Sequence, residues 1–279
     1  MPLSPSETTE VLKSISHRPK KKLGQNFLID GNLVKKSIAM SELEADLQIV
    51  EIGPGLGTLT QQLLENGQTV HAVEFDYNLY SYLKVRFQDF IRQKKLFLTR
   101  ADAVRNPIGS LPADTLDYMV VANLPYAISS PWLEALLATE RIPERMILML
   151  QKEAAERICS MHNAKKCNAL SIFLDGVFAP RQTHQVPRQC FYPAPAVDSI
   201  LIRMDRREKP FLFSSAARSL TRRIFTQRRK QIGSLAKQEK TKHRKELLDW
   251  IDQMNLPKNL RPEEIAPSIW RELARSMNT

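Results

Sequence analysis

Cysteine is scarce in this chain. Cys159, Cys167 and Cys190 are the only three in 279 residues, and no two share a Cys-x-x-Cys spacing. That excludes a disulfide framework and points to reduced thiols in a cytoplasmic setting. The five histidines are scattered, so no metal site is expected. No apolar run approaches the roughly 20 residues that cross a bilayer, which argues against a membrane partner. The first seventeen residues lack an apolar core and contain Glu7 and Glu10, unlike a signal or transit peptide. Glycine is sparse too, nine in all, yet three of the nine stand at alternate positions 53, 55 and 57.

Acidic residues are sparse in one stretch. Between Ile200 and Lys245 there are fifteen Lys or Arg and three Asp or Glu, a local balance of +12 in a chain of net charge +11. The remainder is therefore close to neutral. A one-sided block beside a neutral domain marks a polyanion partner more often than an ordinary solvated face.

The glycines lie in Leu47-Gln48-Ile49-Val50-Glu51-Ile52-Gly53-Pro54-Gly55-Leu56-Gly57-Thr58-Leu59-Thr60, which reads as strand, tight loop and helix. A dinucleotide fingerprint wants glycines at relative positions 1, 3 and 6. Here the sixth position is Thr58. Glu51, two residues before the first glycine, also repels a diphosphate but tolerates a cationic ligand such as S-adenosylmethionine.

Further along, short apolar runs alternate with helical patterns. Strands are expected at Leu47–Glu51, Thr69–Glu74, Leu96–Thr99, Asp117–Ala122 and Met146–Leu150. Helices are expected from Thr58 to Asn66, from Asn78 to Gln93, from Ser130 onward, and through Glu153 to Met161. This alternation implies an α/β fold with a parallel, doubly wound sheet of the Rossmann-like kind. Val177–Val186 and Ser199–Met204 can add an antiparallel edge, and beyond Phe213 only helices are visible. The expected division is a disordered tail over residues 1–19, an α/β domain over 20–208, and a basic helical domain over 209–279.

Ligands of such sheets sit outside the carboxyl ends of the strands. Gly53 and Gly55 follow the first strand there. Glu74 ends the second, about twenty residues on, where a carboxylate accepts both hydroxyls of a ribose. Asp102 follows the third and can accept from an adenine amino group, although Asp is common in turns. Asn123-Leu124-Pro125-Tyr126 follows the fourth. An exocyclic amino group is a poor nucleophile because its lone pair is delocalised into the ring. Two acceptors, the Asn123 side-chain oxygen and a backbone carbonyl such as that of Leu124, can take its two N–H groups and free the lone pair. Positive charge develops on that nitrogen, so the acceptors favour the transition state over the ground state. Tyr126 can stack on the base, and Phe191, in a proline-stiffened loop, is the candidate for a second flat face; core packing is its other reading.

Taken as a set, Gly24-Gln25-Asn26-Phe27-Leu28, Glu51 to Gly55, Asn123 to Tyr126, Met149 to Glu153, Phe191 to Ser199 and Gln227 to Lys230 resemble the rRNA adenine N6-dimethyltransferases, most closely the bacterial KsgA type acting on small-subunit rRNA. The resemblance runs from about Lys20 to the C-terminus. It implies an S-adenosylmethionine site lined by Asn26, Leu28, Gly53, Gly55, Glu74, Asp102 and Asn123. It implies a target adenine held by Asn123, Tyr126 and Phe191, and two methyls added to each of two adjacent adenosines near the 3′ end of the rRNA. The basic helical domain would grip phosphates through Arg222, Arg223, Arg228, Arg229 and Lys230. The partner would be the precursor of the small ribosomal subunit, bound by a monomer with a role in subunit biogenesis. Two departures stand out: Cys167-Asn168-Ala169 where many relatives have Tyr-Gly-Arg, and Ala194 and Ala196 where proline and lysine are frequent. A large-subunit rRNA methyltransferase of the antibiotic-resistance kind shares the cofactor motifs, and a binding-only assembly factor shares the fold.

Overall fold

A computed structural model describes residues 3–45, 47–159 and 167–277. The chain divides into two compact units, Met1–Ala155 with Pro180–Arg206, and Glu156–Ala179 with Arg207–Thr279.

The first unit opens with α1 (Pro5–Ser14), where a disordered tail is expected from composition. Ser4 and Glu7 form a reciprocal capping box, and Pro5 occupies the first turn. Leu12 is buried against Phe27, Leu56 and Leu79. The polar residues of the segment conceal Thr8, Val11, Leu12 and Ile15 at helical spacing, so the helix is held by packing that composition does not register. There follow β1 (Phe27–Leu28), α2 (Gly31–Ser41), β2 (Gln48–Ile52), α3 (Thr58–Glu65), β3 (Thr69–Glu74), α4 (Tyr77–Arg86), α5 (Gln88–Arg92), β4 (Leu96–Arg100), β5 (Tyr118–Asn123), α6 (Ser129–Ala138), β6 (Arg145–Gln151) and α7 (Lys152–Ile158). The helix expected from Asn78 to Gln93 is interrupted at Phe87. Its buried ring packs where a Cβ on Gly57 would come within 2.4 Å. The end of the helix expected to reach Met161 lies outside the described residues.

Seven strands form one sheet in the order β4-β3-β2-β5-β6-β9-β7, with β7 (Phe178–Val186) and β9 (Ser199–Arg206) at one side. Parallel ladders join β4, β3, β2, β5 and β6, and β9 runs antiparallel to β6. Met146–Leu150 is buried throughout, as is Tyr118–Ala122, the pattern of strands covered on both faces. β8 (Phe191–Tyr192) pairs separately with β1, placing Phe191 opposite Leu28. The chain runs outward from β2 through β3 to β4, then returns to place β5 on β2's other side. That reversal opens a crevice above the carboxyl ends of β2 and β5.

The second unit contains α8 (Ala169–Val177), α9 (Ser215–Thr226), α10 (Ile232–Gln238), α11 (Thr241–Gln253) and α12 (Pro267–Ser276). Trp250 and Trp270 are its buried centre, 5.1 Å between ring centroids. The helical unit resumes at Arg207, and residues 156–179 group with it. α8 is buried nearly all round, which is the pattern of a core helix. At Gly176 the carbonyl of Phe211 approaches to 2.6 Å of where a Cβ would stand. Asn168 caps α8, its side chain accepting the Ser171 N–H at 2.9 Å, which gives the departure at Cys167-Asn168-Ala169 a local role.

Candidate active site

The carboxyl ends of β2, β3 and β5, the turn after β4 and the segment before β1 enclose a cavity of about 270 Å³. Asn26, Leu28, Gly53, Gly55, Glu74, Asp102, Asn123, Leu124 and Tyr126 all line it. Three loops distant in sequence meet there because glycines leave room. Gly53 has φ +66°, and a Cβ on it would fall 2.6 Å from Pro125 Cγ. Gly24, at φ +65°, passes so close to the next loop that its Cβ would lie 2.9 Å from the Tyr126 main-chain nitrogen.

Glu74 ends β3 almost fully buried. Its Oε1 accepts the Asp76 N–H at 2.8 Å and its Oε2 accepts the Gly55 N–H at 3.2 Å. Burial nevertheless pushes the carboxyl up to about 7. Glu51, also lining the cavity, accepts the Thr60 hydroxyl at 2.7 Å. Burial pushes it up to about 8, with the neighbouring Glu74 charge adding to the rise. Two buried carboxyls reluctant to ionise in one cavity favour a ligand that brings hydroxyl donors or positive charge. Asp102 accepts the Val104 N–H at 2.9 Å through Oδ1 in a tight turn.

Asn123 ends β5, and its Nδ2 donates to the Asn26 carbonyl at 3.1 Å. The side-chain nitrogen is thereby committed, and Oδ1 is the acceptor the residue retains. Leu124 is fully buried, its N–H donating to the Met149 carbonyl at 3.2 Å. Tyr126 is half-buried, and its hydroxyl shares a hydrogen bond of 2.6 Å with Ser199. Burial raises its pKa, so the phenol is neutral.

Phe191 is not brought to the cavity. It is 2% exposed, lies in the hydrophobic core with Leu28 and Leu201, and is absent from the lining. Pairing with Leu28 turns the ring into the core, so in this arrangement it offers no face to a base. Sequence reasoning missed Phe75, which is 60% exposed and lines the cavity directly after Glu74. An aromatic following a strand-ending acid was the available signal. Also missed was Asp76, which caps α4 and accepts Lys20 Nζ at 2.6 Å, with His17 Nδ1 3.5 Å away. These contacts tie the segment before β1 to the end of β3. Burial alone would raise the Asp76 pKa, but the Lys20 hydrogen bond and the His17 charge outweigh it and hold the carboxyl low.

The basic residues divide. The Arg222 guanidinium sits 5.6 Å from the Phe173 ring centroid and is half-buried, so it is not part of an open phosphate-binding face. Arg223 pairs with Glu239 at 3.1 Å, and Arg228 with Glu263 at 3.7 Å. Arg229 and Lys230 are exposed, with Lys230 donating to Gln238 at 3.1 Å. In the first unit, Arg203 is committed to Asp205 and Glu42, and Arg206 to Asp117. The local charge excess is therefore smaller in effect than in count.

The residues fit S-adenosylmethionine. Glu74 can take ribose hydroxyls, Asp102 an adenine amino group, and the glycine backbones allow the close approach a Cβ would block. The sheet order, the glycine loop and the carboxylate ending the neighbouring strand define a Rossmann-like, S-adenosylmethionine-dependent methyltransferase of class I. The family model for ribosomal RNA adenine dimethylase matches residues 16–271, and the chain belongs to that family. It is 45% identical to the ribosomal RNA small subunit methyltransferase A of Opitutus terrae, over 98% of each chain. It is 36% identical to the protein of the same name from Protochlamydia amoebophila, over 83% of each. Among solved structures, a dimethyladenosine transferase from Plasmodium falciparum shares the fold with TM-score 0.71 at 23% identity, covering 90% of this chain and 97% of that one. No helix among the described residues is long and apolar enough to cross a membrane.

Proposed function

We propose that this chain dimethylates N6 of two adjacent adenosines in a loop near the 3′ end of small-subunit rRNA, acting as a cytoplasmic monomer on a precursor of the small subunit. The names of its full-length relatives support the substrate, and the orientation of Asn123 carries the chemistry.

S-adenosylmethionine supplies an electrophilic methyl on a cationic sulfur. Asn26, Leu28, Gly53, Gly55, Glu74 and Asp102 would hold it. The protein needs no strong base before attack. With Nδ2 committed to Asn26, Asn123 Oδ1 accepts one N–H of the target amino group, and the Leu124 carbonyl accepts the other. Both acceptors gain strength as positive charge grows on that nitrogen. Tyr126, neutral and lining the cavity, stacks on the extruded base. Neither side chain takes the proton that the nitrogen finally loses; it leaves to water. The second unit grips phosphates chiefly through the exposed Arg229 and Lys230, with Arg223 and Arg228 beside them.

The test is transfer of labelled methyl from S-adenosylmethionine to undermethylated small subunits, followed by digestion to nucleosides. Dimethyladenosine is the expected product. Its absence, or full activity in Asn123→Ala, overturns the reading.

A further inference from the structure

We infer that Ser199 is a positioning residue for methyl transfer, its hydroxyl holding the Tyr126 ring as a fixed face for the target base. This deepens the proposed function and rests on it.

Tyr126 Oη and Ser199 Oγ lie 2.6 Å apart across 73 residues of sequence. Ser199 is 1% exposed and opens β9, where it stands opposite Gln151 of β6 in the antiparallel ladder. Its hydroxyl is therefore carried by the sheet, not by a loop. The preceding residue is tied down twice. The Asp198 carbonyl accepts the Lys152 N–H at 3.0 Å, and its Oδ1 accepts the Arg188 N–H at 3.0 Å. At the other end of Tyr126, the main chain is pressed against Gly24, where a Cβ would come within 2.9 Å of the Tyr126 nitrogen. The side chain is thus held at its backbone and at its hydroxyl, with the ring between them on the cavity wall.

Stacking on a base needs only the ring, and phenylalanine would supply one. The hydroxyl has a different use. Burial keeps it neutral, so its bond to Ser199 is a neutral hydrogen bond whose effect is geometric. An unanchored ring samples rotamers that must be frozen on the way to the transition state. A misplacement on the order of 1 Å at a reacting centre can cost about a hundredfold in rate. An anchored ring presents N6 of the base to Asn123 Oδ1 in one register.

The test is a double-mutant cycle on Ser199→Ala and Tyr126→Phe, with Ser199→Thr as the conservative variant. It is read as kcat and KM on undermethylated small subunits, cofactor affinity by calorimetry, and melting temperature. Each single variant should lower kcat by about tenfold, the order of one hydrogen bond, with cofactor affinity unchanged. The double variant should be no worse than either single one, and Ser199→Thr should recover most of kcat. A folded Ser199→Ala or Tyr126→Phe with wild-type kcat overturns the inference, as does a double variant whose loss is the product of the two. The cycle decides even where threonine's extra methyl overpacks the buried position. An inactive wild type would instead sink the proposed function, so the two failures are distinguishable.

Discussion

Asn123 donates its side-chain N–H to the main-chain carbonyl of Asn26, 97 residues earlier, at 3.1 Å. One hydrogen bond thereby joins the segment before β1 to the end of β5 and leaves Oδ1 as the end of the amide that can accept. Because the partner is a carbonyl, only the nitrogen can face it.

Replacing Asn123 tests that polarity. Asn123→Ala should lower kcat by about 10²–10³-fold, by analogy with loss of one preorganised transition-state hydrogen bond. Asn123→Asp should fail as well, since a carboxylate would face the Asn26 carbonyl without a donor. Single-turnover rates, with cofactor binding measured in parallel, separate this loss from a damaged pocket.

Gly53→Ala should both destabilise the fold and weaken cofactor binding. The left-handed backbone costs an L-residue about 1–2 kcal/mol, and its Cβ would sit 2.6 Å from the Pro125 ring. Adding Pro125→Ala removes the clash but not the backbone strain. Partial recovery of melting temperature and affinity in the double variant is the expected result, and full recovery would show that strain is unimportant.

The buried carboxyls set a pH dependence. Glu74 is raised to about 7 and Glu51 to about 8, from an ordinary value of 4.5. The folded protein therefore keeps protons that the unfolded chain releases near 4.5. Their stabilising contribution is complete below that pH and is lost as pH rises toward 8. Cofactor binding has the opposite sign, because hydroxyl donors prefer an ionised Glu74. Affinity should climb by at most about tenfold per unit as pH rises toward 7. Glu74→Gln should bind weakly and flatten that climb. Calorimetry in buffers of different ionisation enthalpy reads the protons released.

Phe191→Ala should cost about 3–5 kcal/mol of stability, as expected for truncating a buried aromatic. Chemical denaturation at fixed pH measures it. A loss within the range of surface substitutions would show that the ring leaves the core in solution. That would restore it as a candidate second face for the base.

Salt dependence tests the phosphate grip. Arg229→Ala and Lys230→Ala should each weaken RNA binding and reduce the log–log salt slope by about one. Arg222→Ala should leave the slope unchanged and lower the melting temperature, because its guanidinium packs on Phe173.

Sequence alone determined the α/β alternation, the glycine loop and the Asn123 to Tyr126 turn. These depend on local rules: apolar periodicity, the backbone freedom of glycine, and the stiffness of proline. It also pointed to the residues around the cofactor cavity, since strand ends in such a sheet converge on one crevice. Tertiary structure decided the rest. Periodicity identifies an apolar face but not what covers it, so α1 read as a tail, the grouping of residues 156–179 with the helical unit was not visible, and Phe191 was left between a flat face for a base and core packing. Counting charges could not tell Arg222, stacked on Phe173, from Arg229 in solvent. Nor could sequence orient the Asn123 amide, because the carbonyl that orients it belongs to a residue 97 positions away.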